Sequence, residues 1–236
     1  MTLTTASSRR KTSPFEEPLK IAICIPSQDD VKAGFCFDLA RMMSHYSATK
    51  CGTERELRDA LMLFNHRGTL IADQRDVLVK EALKSDCDAV LWLDADMRFP
   101  KDALDRLLAH DKPIVAANYT TRRPPFKPVA FSDFAKLERV WTKKDSTGLE
   151  RVQATGMGCM LVRKEVYEAL KAPYHMIGYS PSSGQYSGED MYFGMNATKA
   201  GFDVLIDHDL SKDVKHAGTL EFSFDMTPEW DEKNGD

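Results

Sequence analysis

Apolar residues along this chain fall into short unbroken runs that alternate with stretches where they recur every three or four positions. The runs "LKIAICIPS", "ALMLFN", "DAVLWLD" and "KPIVAANY" have the length and composition of strands. "DAVLWLD" shows no polar alternation, as expected of a strand covered by helices on both faces of a parallel sheet. Helical spacing marks "FCFDLARMMSHY", "PKDALDRLLAH" and "DMYFGMNATKAG". It also marks "GTLIADQRDVLVKEALKS", where Leu70, Ile71, Gln74, Val77, Leu78 and Leu83 follow one another along the helix and Arg75 lies near its start. Pro100 falls at the expected first turn of one helix and Gly201 near the C-terminus of another. This alternation predicts an α/β sandwich with a mostly parallel sheet.

After Tyr119 the rhythm changes. "TTRRPPFKPVAF" reads as a basic, Pro-rich loop running into a strand, and "ERVWTKKDSTGLERVQAT" as a hairpin turning near Asp145 to Gly148. "GCMLVRKEVYEAL" is a strand and then a helix, "APYHMIGYSPSSGQYSGED" a long loop, and "FDVLIDHDLSKDVKHAG" one or two last strands. There is no internal repeat. The expected organisation is a disordered tail over about 1–18, one domain over about 19–220, and a second tail over about 221–236. Within the domain, a half of about 19–97 precedes a more irregular half of about 98–220, and both share one sheet.

Composition narrows the function classes. The length of 236 residues suits a single core. A formal net charge of −4 gives no overall basic field of the kind a dedicated nucleic-acid binder carries, but leaves room for a local patch. No apolar run approaches the roughly 20 residues of a membrane span. "MTLTTASSRRKTSPFEEP" has basic residues with no apolar stretch behind them, so it is no secretory signal. The five cysteines are odd in number, scattered and without zinc-site spacing, which predicts reduced thiols in a soluble cytoplasmic protein.

One stretch stands out chemically. "VLWLDADMRFP" is a core strand that ends in Asp94 and Asp96, two groups a core does not hold unpaired. In extended chain, side chains at i and i+2 point the same way, so both carboxylates face one place beyond the C-terminal edge of the sheet, where open α/β folds bind ligands. Their repulsion would be relieved by a hard cation that keeps phosphate oxygens in its shell. The plainer reading is a surface pair leading into the next helix, and spacing by itself does not separate the two.

The surrounding motifs do more. "CIPS", then "RDVLVKEALKSDCDAVLWLDADMRFPKDALDRLLAHDKPIVAANYTTRRPP", "GMGCMLVRKEVYEAL", "SGEDMYFGMNATKAGFDV" and "VKHAG" stand in an order that resembles the nucleotide-sugar-dependent glycosyltransferases of the A-type fold. The likeness is greatest to family-2-like members with an Asp-X-Asp motif, and runs from about Lys20 to Gly218. The resemblance implies a Rossmann-like three-layer α/β/α sandwich with a mostly parallel central sheet and a smaller antiparallel acceptor-side part. It further implies metal-dependent transfer of a sugar from a nucleoside diphosphate sugar to an acceptor hydroxyl, with inversion. A UDP-sugar is the donor it suggests, Mn²⁺ or Mg²⁺ the cofactor. The acceptor is left open among a glycan, a lipid-linked sugar, a protein and a modified DNA base. The alternatives are a sugar-nucleotide nucleotidylyltransferase and an inactive nucleotide-sugar- or glycan-binding protein.

Residue roles follow from the resemblance. Pro26 and Ser27 line the nucleotide pocket, or simply end a strand. Arg75 reaches the nucleotide or its phosphates, a task suited to a guanidinium, or makes a surface salt bridge near Asp76 or Glu81. Asp96 is the metal ligand, with Asp94 on the ribose or the ion's shell, Ala95 between them against the donor, and His216 completing the metal shell. Asp190 is the base that takes the acceptor's proton and Glu189 binds or orients the acceptor, although two acids also suit a helix N-terminus. Gly156 and Gly158 permit close approach of a sugar or mark a bulge. Trp141, Tyr179 and Tyr186 stack on sugars or pack in the fold. Arg122, Arg123 and Lys127 form a basic loop facing phosphate, an anionic acceptor or solvent.

Overall fold

The computed structural model describes residues 18–50, 59–180 and 184–218. The tails expected at 1–18 and 221–236 lie outside them, Pro18 excepted, as does Cys51.

The first apolar run forms β1 (Lys20–Ser27), buried in every residue after Lys20. Next come α1 (Ala33–Lys50) and β2 (Ala60–Arg67), whose uneven burial is that of a sheet edge. α2 (Ile71–Lys84) buries Ala72, Arg75, Leu78, Val79 and Ala82, a stripe at helical spacing, and leads to the wholly buried β3 (Ala89–Leu93). The two-residue β4 (Met97–Arg98) precedes α3 (Ala103–Ala109). Pro100 is not in the first turn of α3 as expected: a turn at Lys101–Asp102 intervenes, and the Pro100 carbonyl accepts from the Ala103 amide at 3.1 Å.

The chain continues through β5 (Ile114–Ala116), β6 (Phe131–Asp133), β7 (Glu138–Arg139), β8 (Leu149–Val152) and β9 (Cys159–Arg163) into α4 (Lys164–Ala169). It closes with β10 (Gly178–Ser180), β11 (Gln185–Ser187), α5 (Glu189–Lys199), β12 (Val204–Asp207), α6 (His208–Asp213) and β13 (Lys215–His216). The expected long loop thus contains a small hairpin of β10 and β11.

The hairpin expected around Asp145–Gly148 is not formed. Its first arm, β7, folds back on β6 around a turn in which the Lys136 amide donates to Asp133 at 3.1 Å. Its second arm, β8, leaves to pair antiparallel with β12. The turn itself exists, with Gly148 at φ +69°, but it redirects the chain toward an open strand edge and buries Val152 there.

The central sheet has the order β2-β1-β3-β9-β5-β12-β8. β2, β1, β3, β5 and β12 run one way, while β9 and β8 oppose them. Alternation along β1 divides the core: Ile21, Ile23 and Ile25 pack with Phe35 and Met42 of α1, Leu104 of α3 and Leu210 of α6. Ala22 and Cys24 pack on the other face with Leu78 of α2, Val166 of α4 and Phe193 of α5. Helices therefore cover both faces, and the three-layer α/β/α architecture with a mostly parallel sheet is the one the motif order implied. Trp92 is fully buried without an orphaned donor, because its Nε1 donates to the Tyr167 hydroxyl at 2.7 Å.

Candidate active site at the sheet edge

β1 and β3 are parallel neighbours, so Pro26–Ser27 and Asp94 emerge at the same edge of the sheet. The loop after β1 folds against the motif, with the Lys32 amide donating to the Ala95 carbonyl at 3.1 Å. Ser27 is buried, and its hydroxyl accepts from Asn65 Nδ2 at 2.9 Å, tying β1 to β2. Pro26 is buried beside it.

The two aspartates do not share a direction. Past Leu93 the strand gives way to a tight turn, closed by the Met97 amide donating to the Asp94 carbonyl at 3.0 Å. The i and i+2 rule holds only for extended chain, and the turn sends the carboxylates apart. Asp94 faces inward, where Arg75 Nη2 donates to its Oδ1 at 2.8 Å. Asp96 faces the later half of the chain, ion-paired with Arg122 and 3.5 Å from His216 Nε2.

Arg75 is no surface residue. It is 2% exposed, and its Nε donates to Glu189 Oε1 at 3.1 Å while its guanidinium lies over the Trp92 ring. Burial works against its charge, but Asp94, Glu189 and Asp190 together raise its pKa above the usual arginine range. Its Nη1 has no partner among the described residues, a buried donor free for a ligand oxygen. Asp76 is engaged elsewhere, by the Tyr174 and His175 amides at 3.1 and 2.9 Å.

Asp190 stands in the first turn of α5, its Oδ1 accepting from the Met191 amide at 2.8 Å. Burial and the neighbouring Glu189 charge push its carboxyl up to about 7, against the downward pull of Arg75. Asp96 goes the other way. Burial pushes it up, but His216 and Arg122 outweigh that and hold it below the ordinary carboxylate range.

The placement of His216 comes from strand pairing. β13 pairs with β4 so that His216 lies opposite Met97, and the Ala217 amide donates to the Asp96 carbonyl at 2.8 Å. Its Nδ1 lies 2.9 Å from the Thr120 carbonyl, which only accepts, so Nδ1 carries a proton. In the neutral ring the Nε2 lone pair then faces the Asp96 carboxylate. Two electron-rich groups at that separation call for a proton or a cation between them, and of the two expected ions an imidazole beside a carboxylate suits Mn²⁺ better than Mg²⁺, because imidazole is a softer ligand than carboxylate or water. Asp94 does not join them: among the described residues, no three His, Cys, Asp or Glu side chains converge as a metal-binding group.

Gly156 and Gly158 have a different neighbour from the sugar expected. A Cβ at either position would meet the Tyr119 hydroxyl, at 2.4 and 2.8 Å, and that hydroxyl accepts from the Gly158 amide at 3.0 Å. The glycines make room for Tyr119, whose ring also meets His216 edge-on. Tyr119 is the site residue that reading the sequence missed. Its only signal was its position, a tyrosine ending a strand at the ligand-binding edge. Of the candidate stacking residues, Trp141 is exposed, and Tyr179 and Tyr186 face each other across the β10–β11 hairpin, also exposed. None is a core residue.

Against known proteins, the model of one family, Anp1, matches residues 25–185. This supports the glycosyltransferase resemblance at a coarser level than the family-2-like placement that the motif order suggested. No curated protein matches the chain. Among solved structures, A197 from STIV is similar with a TM-score of 0.51 over 87% of this chain and 98% of that one. At 13% identity that likeness concerns the fold alone. No helix among the described residues is long and apolar enough to cross a membrane. With a family match over more than half its length, on an α/β sandwich whose acidic residues gather at one sheet edge, the chain belongs to Anp1, a glycosyltransferase-type family.

Proposed function

We propose that this protein moves a glycosyl group from a nucleoside diphosphate sugar to an acceptor hydroxyl, with inversion, and that Asp190 is the base. The observation that carries this is the environment of Asp190: a carboxyl raised to about 7 beside Glu189 and Arg75 is matched to accepting a proton near neutral pH. In the step, the acceptor oxygen bonds to the anomeric carbon while the bond from that carbon to the diphosphate oxygen breaks. The acceptor's proton passes to Asp190 and the nucleoside diphosphate leaves. Arg75 holds Asp94 and Glu189 in place and offers Nη1 to a donor oxygen. Ser27 and Ala95 lie at the edge where the nucleotide would rest, and Glu189, one residue before the base and paired with Arg75, would orient the acceptor.

Asp96 and His216 are the residues that would hold Mn²⁺ or Mg²⁺, which when bound offsets charge on the diphosphate. The mannosyltransferase-like character of the family favours a mannosyl group, and the motif resemblance favours a uridine nucleotide; these are separate choices within one reading. Buried free thiols at Cys24, Cys87 and Cys159 suit a reducing compartment, so cytoplasmic placement belongs to the same reading.

The test is release of nucleoside diphosphate from a panel of UDP- and GDP-sugars with and without Mn²⁺. Turnover of at least one donor is expected. Asp190→Asn should keep donor affinity in calorimetry and lose roughly 10²–10⁴-fold in rate. Asp96→Ala should lose the Mn²⁺ stimulation. Pyrophosphate as the product, or an Asp190→Asn variant as fast as the native protein, would overturn the reading.

A further inference from the structure

Beyond His216 the surface opens into a cleft of about 430 Å³, built where β5 and β12 end at the same edge as the aspartates. Its inner wall is Tyr119 and His216, and its outer walls carry Trp141, Lys143, Lys144, Lys212 and Lys215. His216 thus faces Asp96 on one side and the cleft on the other. A ligand held here lies one side chain, His216, away from Asp96.

The chemistry of this cleft is lopsided. No carboxylate lines it. Among the described residues, Lys143, Lys144 and Lys215 pair with no acid, and Lys212 reaches Asp209 only at 3.4 Å. The acids of neighbouring α6 are already engaged: Asp209 accepts from the Gly148 amide at 2.8 Å, and Asp213 from Arg106 at 2.8 Å. In a chain of net charge −4, four lysines around one carboxylate-free cleft concentrate positive potential against the average. Trp141 is 57% exposed there, with the next residue fixed by Thr142 Oγ1 at 2.9 Å from His208 Nδ1. The loop joining Thr120 to Pro128 continues the pattern with Arg123, Lys127 and an exposed Phe126.

A neutral glycan is gripped by carboxylates and free amides on its hydroxyls; this cleft has no carboxylate, and the Asn118 amide in its wall is already engaged, Nδ2 donating to the Val140 carbonyl at 2.9 Å and Oδ1 accepting from the Ala130 amide at 3.2 Å. Cations interleaved with exposed aromatic faces are instead what holds an unpaired phosphodiester chain, the cations on phosphates and the rings under bases. We infer that the acceptor is a single-stranded nucleic acid, seated with a base on Trp141 and its backbone along Lys143, Lys144 and Lys215. The word acceptor rests on the glycosyltransferase reading above; the binding surface does not.

The experiment is fluorescence anisotropy of the full-length protein with a labelled single-stranded DNA 12-mer and the matching RNA, from 50 to 200 mM KCl. At least one of the two strands should bind, with affinity falling with salt at a log–log slope of about −2 to −3, as for three or four phosphates. The double substitution Lys143→Glu/Lys144→Glu should cost at least about tenfold and flatten that slope by about 1.4. Trp141→Ala should cost about tenfold and leave the slope unchanged. Thermal unfolding midpoints of both variants report that they are folded. No binding at 50 mM KCl, folded variants that bind like the native protein, or equal competition by a sulfated oligosaccharide would each overturn the inference, the last in favour of an anionic glycan. Oligonucleotide binding without turnover of any donor would support this surface and count against the transferase reading instead.

Discussion

Asp190 and Asp96 are the same side chain in two electrostatic settings, and their protons respond in opposite directions. Asp190, beside Glu189 and short of solvent, is raised to about 7 from an ordinary value of 3.8. The folded chain therefore keeps a proton that the unfolded chain has lost, and this contribution to stability fades as pH climbs from about 4 to about 7. Asp190→Asn, which mimics the protonated form, is expected to melt above the native protein at pH 8 and level with it near pH 4, as read by thermal unfolding across that range. The same titration predicts a transfer rate that rises with pH and levels off above about 7, measured as kcat/KM under the conditions that support turnover. Asp96, held low by His216 and Arg122, contributes stability at neutral pH that is lost on acidification. Reading the sequence singled out both residues, since a strand-end Asp-X-Asp and a Glu-Asp pair are local patterns. What it could not read was their difference in character, which depends on partners such as Arg75, 114 positions from Glu189.

Arg75 is where separate elements are tied together. From α2 it reaches Asp94 after β3 and Glu189 at the start of α5, at 2.8 and 3.1 Å. Removing it would strand two partly buried carboxylates, and Arg75→Ala should lower unfolding stability by about 3 kcal/mol in urea titrations. Arg75→Lys should recover little of this, because a single ammonium lacks the fork that serves both acids. Elements whose pattern is internal were legible: β1, β3 and α2 reveal themselves by runs and by spacing. The β7–β8 hairpin was misjudged because a turn sequence specifies a change of direction and not the partner of each arm. β8 found β12, across a gap of some fifty residues, where an unpaired edge offered hydrogen bonds and a place for Val152.

At the scale of the whole molecule, one seven-stranded sheet carries both the aspartate end and the basic cleft, and its two cores share β1, β3, β9 and β5. The described domain is therefore expected to unfold as a unit, with near-ultraviolet and far-ultraviolet circular dichroism giving the same urea midpoint; separate midpoints would mean two independent halves. The motif order and the strand–helix alternation were enough to specify the class of fold, because burial on both faces of a strand and on one face of a helix leaves a periodic trace in the chain itself. They were also enough to name the acids, since residue type and chain position need no third dimension. The separate partners of Asp94 and Asp96, the tyrosine that fills the space over two glycines, and the cleft behind His216 were decided by tertiary structure alone. The turn between the two aspartates is closed locally, by the Met97 amide on the Asp94 carbonyl, but the partners that receive the two carboxylates, like the tyrosine and the cleft walls, come from residues far apart in sequence, and no local pattern encodes which distant side chains will meet.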